Sequence, residues 1–353
     1  MPGDPMSRTG VAVIGCGLIG ARRARAAASD PRTVLRIVVD TDRSRAAAVA
    51  KELNVETGRD WRDALSRDDV GAVVVCTPNA LLVPIGVAAL RAGRHVLIEK
   101  PMGRNATEAR ALVAEARRAG TILKVGFNHR FHPAIARAHE LYRSGAIGRI
   151  IQLRARYGHG ARPGYEQEWR GNAELAGGGE LLDQGVHIVD LFQWFAGPAV
   201  RAQAELQTSV WDLGRLEDNA FGLLRFAAGV VGQFHVSMTQ WKNLFSLEIH
   251  GENGALIVEG LGGSYGTETL TFVQRNMAGG PPQVDTRPFE GPDISWSAEW
   301  ADFAAATRGE PMKHGHPEDG LRVMATVDAL YAAARSGSAV AITPVSSDGL
   351  VNR

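Results

Sequence analysis

The 353 residues are 45% hydrophobic and 22% charged, the make-up of a globular protein too long for one ordinary domain. Interspersed along the chain, 39 basic and 38 acidic residues leave a formal net charge of +1, which excludes the electrostatic footprint of a nucleic-acid or anionic-membrane binder. No apolar run approaches the roughly 20 residues that span a bilayer, "MPGDPMSRTG" lacks the layout of a secretory leader, and no metal-type Cys/His cluster surrounds Cys16 or Cys76, so a cytoplasmic protein without a metal site is expected.

From Val11 to about Phe127, short apolar runs alternate with helical segments, the pattern of a doubly wound α/β domain around a parallel sheet. "VAVIG" leads to a helix near residues 18–29, "VLRIVVD" to one near 44–53, "GAVVVCTP" to "NALLVPIGVAALRAG", and "HVLIEKP" to one near 107–119. Asn105 and Glu108 have the spacing of a capping box, and Gly120 stands where a helix stops. The first junction, "GCGLIG", sets Gly15, Gly17 and Gly20 in G-x-G-x-x-G spacing between a strand and a helix, with Leu18 and Ile19 inside the loop. Asp40 follows at the end of the second strand, which makes the motif a dinucleotide site rather than a chance glycine turn. An acid there accepts hydrogen bonds from ribose hydroxyls and repels a 2′-phosphate. NAD is therefore the expected cofactor, with Arg43 and Arg45 leaving NADP open. Ligands of open α/β sheets bind beyond the carboxyl ends of the strands, which adds Thr77, Pro78, Asn79, Glu99 and Lys100 to the expected cofactor contacts. Lys100 is one of only five lysines, the others being Lys51, Lys124, Lys242 and Lys313.

After residue 128 the pattern changes. A helix near 133–143 precedes the strand "RIIQLRARY" and an irregular segment, "GHGARPGYEQEWRGNAELAGGG". A helix is predicted over residues 177–190, with Leu182, Val186, Val189 and Gln193 along one line and Asp183, His187, Asp190 and Trp194 along another. Taken alone, that polar line reads as a solvated stripe, and the three glycines before it suit close approach of backbone to a ligand. Six strand-like runs without intervening helices then imply an antiparallel or mixed sheet. A Gly/Pro-rich loop is expected over 276–293, helices over 296–307 and 317–335, and a last strand at "AVAIT". The organisation expected is an N-terminal Rossmann NAD(P)-binding domain over 1–127 and a substrate-binding and oligomerisation α+β domain over 128–353 with a large open, mostly antiparallel sheet. The last helix is free to pack back on the first domain.

"VCTPNALLVPIGVAALRAGRHVLIEKPM", "VGFNHRFHPA" and "WRGNAELAGGGELLDQGVHIVDLFQWFAG" together resemble the Gfo/Idh/MocA oxidoreductases, named for glucose–fructose oxidoreductase and inositol dehydrogenase, over nearly the whole chain. The resemblance implies a nicotinamide-dependent dehydrogenase or reductase acting on a sugar, polyol or cyclitol, assembled as a homodimer or homotetramer through its C-terminal sheet. It places the family's lysine at Lys100, its aspartate at Asp183 and its histidine at His187; Leu82 departs from a histidine common in relatives. The chemistry agrees: oxidising a secondary alcohol needs a base, for which histidine suits near neutral pH, and positive charge near the alkoxide, which Lys100 supplies. Asp183 binds a substrate hydroxyl or tunes the histidine. Asn128, Arg162 and Trp169 are further candidate substrate contacts within a wall that includes His159, Tyr165 and Arg170, whereas Asp190 is read as a supporting or surface acid. Two other uses of such a chain are a non-catalytic sugar- or dinucleotide-sensing regulator and an enzyme that recycles tightly held NAD for elimination, epimerisation or glycoside cleavage.

Overall fold

Apolar runs buried on both faces become the strands of a six-stranded parallel sheet: β1 (Thr9–Ile14), β2 (Thr33–Val39), β3 (Glu56–Gly58), β4 (Ala72–Val75), β5 (His95–Glu99) and β6 (Leu123–Gly126). Their order is β3-β2-β1-β4-β5-β6, and every pairing is parallel. In the computed structural model, which describes residues 8–343, this sheet belongs to one of two compact units. That unit runs to Asn128 and includes Trp296–Leu321, which return after the second unit has been built. Trp300 and Phe303 from the returning segment sit fully buried in one cluster with Val11, Val38, Val74 and Leu97. At the start of the helix Ala106–Ala119, Asn105 accepts from the Glu108 N–H at 3.0 Å. The expected capping box is only half made, because the Glu108 carboxylate instead takes the Arg104 N–H and guanidinium. Gly120 closes the helix in the left-handed conformation, as expected.

The second unit holds His129–Ser295 and, among the described residues, 322–343. Its strands are β7 (Ile150–Gly158), β8 (Ala199–Gln207), β9 (Asn219–Phe226), β10 (Val231–Ser237), β11 (Leu244–Gly251), β12 (Gly254–Glu259), β13 (Glu268–Gln274), β14 (Gln283–Phe289) and β15 (Val340–Ala341). They form one sheet in the order β14-β13-β12-β11-β7-β10-β9-β8-β15, antiparallel except where β10 lies parallel to β7. Alternation along the strands leaves one face exposed, carrying Arg201, Gln203 and Glu205 of β8, Phe221, Leu223 and Arg225 of β9, and Val231 and Gln233 of β10. The opposite face buries Phe226 and Phe234 against Phe192, which comes from the helix Val186–Ala196.

The loop expected over 276–293 contains β14, paired with β13 along its whole length. Its residues are almost all exposed and it holds Pro288. An edge strand tolerates both features, and they removed the apolar signal that would have marked it.

Candidate functional site

Candidate residues occur in both units. In the first, β1 ends at Ile14 and the helix Leu18–Ser29 starts almost at once, so the chain turns at Gly15, whose φ of +95° suits glycine alone. A Cβ on Gly20 would sit 1.7 Å from the Gly15 carbonyl oxygen, so the helix lies against the turn only because that side chain is missing. Gly17 caps the helix with no side-chain bond to its first-turn N–H groups, and a Cβ there would meet nothing within 4 Å. A helix N-terminus with space before it accommodates a pyrophosphate. Leu18 is 72% exposed beside that space, and Ile19 is half-buried. Asp40, at the end of β2, accepts from the Cys16 N–H at 2.7 Å and from the Asp42 N–H at 2.8 Å. Each carboxylate oxygen keeps a lone pair for a further donor. Thr77 and Pro78 follow β4 half-buried, and Asn79, buried, begins the helix Asn79–Arg91. Within that helix Leu82 is completely buried, so the departure noted in the sequence serves the core.

Lys100 stands half-buried immediately after β5. The Glu99 carboxylate before it is committed to Arg23, whose Nε donates at 2.6 Å. Another nitrogen of that guanidinium lies 2.6 Å from Glu299, and Lys124 Nζ lies 2.7 Å from Asp302. All five side chains are buried. Burial pushes the Glu299 carboxyl up, by more than Arg23 and Lys124 pull it down. Burial also lowers the Lys124 ammonium, against Glu299 and Asp302.

In the second unit, the continuous helix expected over 177–190 is broken. Gly177, left-handed at φ +81°, ends a four-residue helix, Ala173–Ala176. A wide π-helical turn, Leu181–Gly185, then leads directly into the α-helix Val186–Ala196. Such turns recur at functional sites. The glycines before it make room for protein rather than ligand: a Cβ on Gly178 would meet the Tyr331 hydroxyl at 2.3 Å, and one on Gly179 the Glu217 carbonyl oxygen at 2.1 Å. The Glu217 carboxylate accepts from the Gly179 and Leu181 N–H groups and from the Tyr331 hydroxyl, tying down the start of the turn.

The polar line divides in two. Asp183, on the π turn, accepts from Arg170 Nε at 2.7 Å and remains partly exposed. Asp183 foremost raises the Arg170 guanidinium further above its ordinary value. His187, one turn on, is only 4% exposed, and its ring stacks on His129 with centroids 3.6 Å apart. Asp190 is buried, not a surface acid, and takes Arg130 through two bonds of 2.8 and 2.5 Å. Trp194 continues this lower half, stacked on His139 with Arg130 over its ring. Tyr157 lies 6.4 Å from His187 between ring centroids, hydrogen-bonded to Tyr265, whose hydroxyl burial pushes up to about 12.

Asn128 is buried and opens the 3-10 turn Asn128–Phe131. Trp169 packs its ring over the Arg170 guanidinium and against the cluster of Tyr165, Leu213 and Met238. Arg162 is exposed and paired with Glu168. The sequence reading overlooked His129, Tyr157 and Tyr265. His129 lies inside "VGFNHRFHPA", and a second ring beside Asn128 was the available signal. Nothing local marks the two tyrosines. Among the described residues no group of His, Cys, Asp or Glu is arranged to hold a metal, and no helix is long and apolar enough to cross a membrane.

Residues 9–127 match the family model described as "Oxidoreductase family, NAD-binding Rossmann fold", and residues 135–257 match the "GFO/IDH/MocA C-terminal domain". The chain is 34% identical over 313 residues to 1,5-anhydro-D-fructose reductase of Ensifer adhaerens, a match that covers 86% of this chain and 90% of the relative. It is 28% identical over 287 residues to levoglucosan dehydrogenase of Pseudarthrobacter phenanthrenivorans, covering 71% and 74%. Among solved structures, GenD2 from gentamicin A biosynthesis in complex with NAD superposes with a TM-score of 0.84 at 29% identity, covering 98% of this chain and 99% of that one.

Proposed function

The chain belongs to the Gfo/Idh/MocA family of NAD-binding oxidoreductases, and on that premise we propose that it transfers a hydride between NAD and a secondary alcohol or ketone of a sugar, polyol or cyclitol. The observation that carries this reading is the pairing, on one turn of the second unit, of the Arg170-held Asp183 with the buried His187. Bound NAD supplies the acceptor for the hydride that leaves the carbinol carbon. The Gly15–Gly20 loop and its helix N-terminus would hold the pyrophosphate, and the remaining lone pairs of Asp40 would accept from the adenosine ribose. Leu18, Thr77, Pro78 and Asn79 would add further contacts to the dinucleotide. Because the Glu99 side chain is committed to Arg23, its share of the cofactor contact comes from the main chain.

In the oxidative direction His187 takes the hydroxyl proton as the hydride departs, leaving a ketone, NADH and a protonated imidazole that releases its proton to solvent. Lys100 places positive charge by the forming alkoxide. Asp183, oriented by Arg170, accepts from a neighbouring hydroxyl, and Asn128 and Trp169 complete the sugar contacts. Arg162, exposed and paired with Glu168, serves at the rim.

The test is a panel of levoglucosan, myo-inositol and D-xylose with NAD or NADP, and 1,5-anhydro-D-fructose with NADH or NADPH, following nicotinamide absorbance and product mass together. Oxidation or reduction of at least one sugar, with NAD preferred, is the expected result. Binding of NAD without turnover of any member would instead favour a sensor.

The exposed face with Phe221, Leu223 and Val231 supports assembly of two or four copies through the second unit's sheet. Its apolar residues are interspersed with Arg201, Gln203 and Arg225, so the contact is mixed rather than the apolar patch a bare strand count suggests. Light scattering is expected to return a dimeric or tetrameric mass, and a monomeric mass at micromolar concentration would contradict it.

A further inference from the structure

The second unit leaves one question about His187. The torsion that sets the plane of an imidazole is broad, with no sharp rotamer preference, so neighbours must fix the ring if it is to meet a hydroxyl in one orientation. One neighbour does so face to face: the His129 ring lies 3.6 Å away between centroids and tilted by only 18°. Both residues are at least 95% buried.

His129 is itself clamped. Tyr157 meets its ring edge-on at 5.4 Å, His132 at 5.5 Å and Phe245 at 6.0 Å. His132 is held by Glu268 at 2.6 Å, and that carboxylate also takes the Gly262 and Ala134 N–H groups. Tyr157 is fixed in turn by its hydrogen bond to Tyr265. A turn at the start of the unit, two strands of its sheet and the Glu268 anchor therefore converge on one face of His187. That face of His187 is therefore covered by a ring that is itself packed on several sides.

We propose that His129 is a positioning residue: its stacked ring holds the His187 imidazole in the plane from which it takes the substrate proton. The proposal rests on the reading of His187 as the base, but the stack can be measured without turnover. In protein carrying ¹³C-labelled histidine, the His187 Cε1–H resonance, identified by its loss in His187→Gln, sits upfield in the ring current of His129. It moves downfield in His129→Ala and stays upfield in His129→Phe, which keeps a flat ring in place.

Turnover of levoglucosan and of its carbinol-deuterated form provides the second measurement. In His129→Ala, kcat falls roughly 10–100-fold, the cost of a misplaced reacting group. KM for sugar and NAD stays nearly unchanged, and the deuterium isotope effect on kcat rises because hydride transfer becomes slower than product release. His129→Phe recovers most of the lost rate. A variant that merely folded poorly would lower the active fraction and leave the isotope effect where it was. An unshifted resonance in His129→Ala overturns the proposal, as does a shifted resonance with unchanged kcat, or a folded His129→Phe as slow as the alanine variant. If levoglucosan is not turned over, or His187→Ala oxidises it at the unmodified rate, the assignment of substrate or base fails instead, and the resonance alone decides whether His129 sets the ring.

Discussion

Five charged side chains share one buried cluster in the first unit, Arg23 and Lys124 set against Glu99, Glu299 and Asp302. The second unit gives each acid on its site helix an arginine of its own: Asp183 takes Arg170, and Asp190 takes Arg130. In the cluster Glu299 is shared by both bases, Arg23 and Lys124, and burial sets the direction in which Glu299 and Lys124 shift. In the discrete pairs, position decides what each acid does. The pair with both partners below 6% exposure joins helix to turn, while the pair with exposures of 29% and 15% stays partly open to solvent. Under the proposed function, two similar ion pairs two turns apart divide stability from chemistry, and that division can be broken experimentally.

The largest effect is expected where the chemistry is placed. His187→Ala lowers turnover by about 10²–10⁴-fold, the range for a lost general base, while NAD titrated against the variant binds as before, because the glycine loop lies in the other unit. Loss of NAD binding would show that the two functions are not separable in this way. Next come the two aspartates. Asp190→Ala strands a buried guanidinium and costs about 3–5 kcal/mol in urea unfolding. Asp183→Asn costs about 0.5–1.5 kcal/mol, yet it depresses turnover far more than any comparably mild loss of stability explains. Equal destabilisation by both would erase the distinction between the pairs.

That distinction was only half legible in the sequence. The dinucleotide loop could be read because its constraint is local: a turn at Gly15, a close approach at Gly20 and an acid at the end of the next strand are all fixed by neighbours in the chain. Helical spacing put Asp183, His187, Asp190 and Trp194 on one line. It could not show that Arg130 claims the lower half, because that partner is 60 residues away in the chain. The π turn was illegible for a related reason, since Glu217 and Tyr331, which shape its start, arrive from a distant loop and a distant helix. For β14, pairing with β13 supplies what its exposed side chains do not.

A smaller effect sharpens the comparison on the cofactor side. Asp40→Ala should narrow the preference for NAD over NADP by roughly 10–100-fold, the worth of charge-assisted hydrogen bonds of about 1.5–3 kcal/mol. Paired titrations measure it, and tighter NADP binding by the unmodified protein would turn attention to Arg43.

The smallest effect is one of sign. Burial holds Glu299 above the ordinary carboxyl value, so any stability that the protein has over Glu299→Gln declines as pH rises through the folded-state value. Burial also pushes Glu268 upward, but His132 and the N–H groups of Gly262 and Ala134 outweigh it and bring the carboxyl below its ordinary value. The advantage over Glu268→Gln is therefore present above the unfolded-state value and is lost as pH falls through the folded one. Melting temperatures between about pH 4 and pH 8 should show the two gaps changing in opposite directions; parallel trends would mean that both acids sit in equivalent surroundings.

The return of Trp296–Leu321 to the first unit also bears on how the protein is made. When the ribosome has finished β6, Arg23 and Lys124 are in place but Glu299 and Asp302 have not been synthesised. At about 5–20 residues per second the nascent chain waits roughly 10–35 s, while nearly the whole second unit is translated, before those acids emerge. Through that interval the nucleotide-binding sheet lacks Trp300 and Phe303 from its core and two anions for its buried cations. A chain arrested just after Asn128 should accordingly be cut readily by protease, and the same sheet should become resistant once translation passes the returning helix.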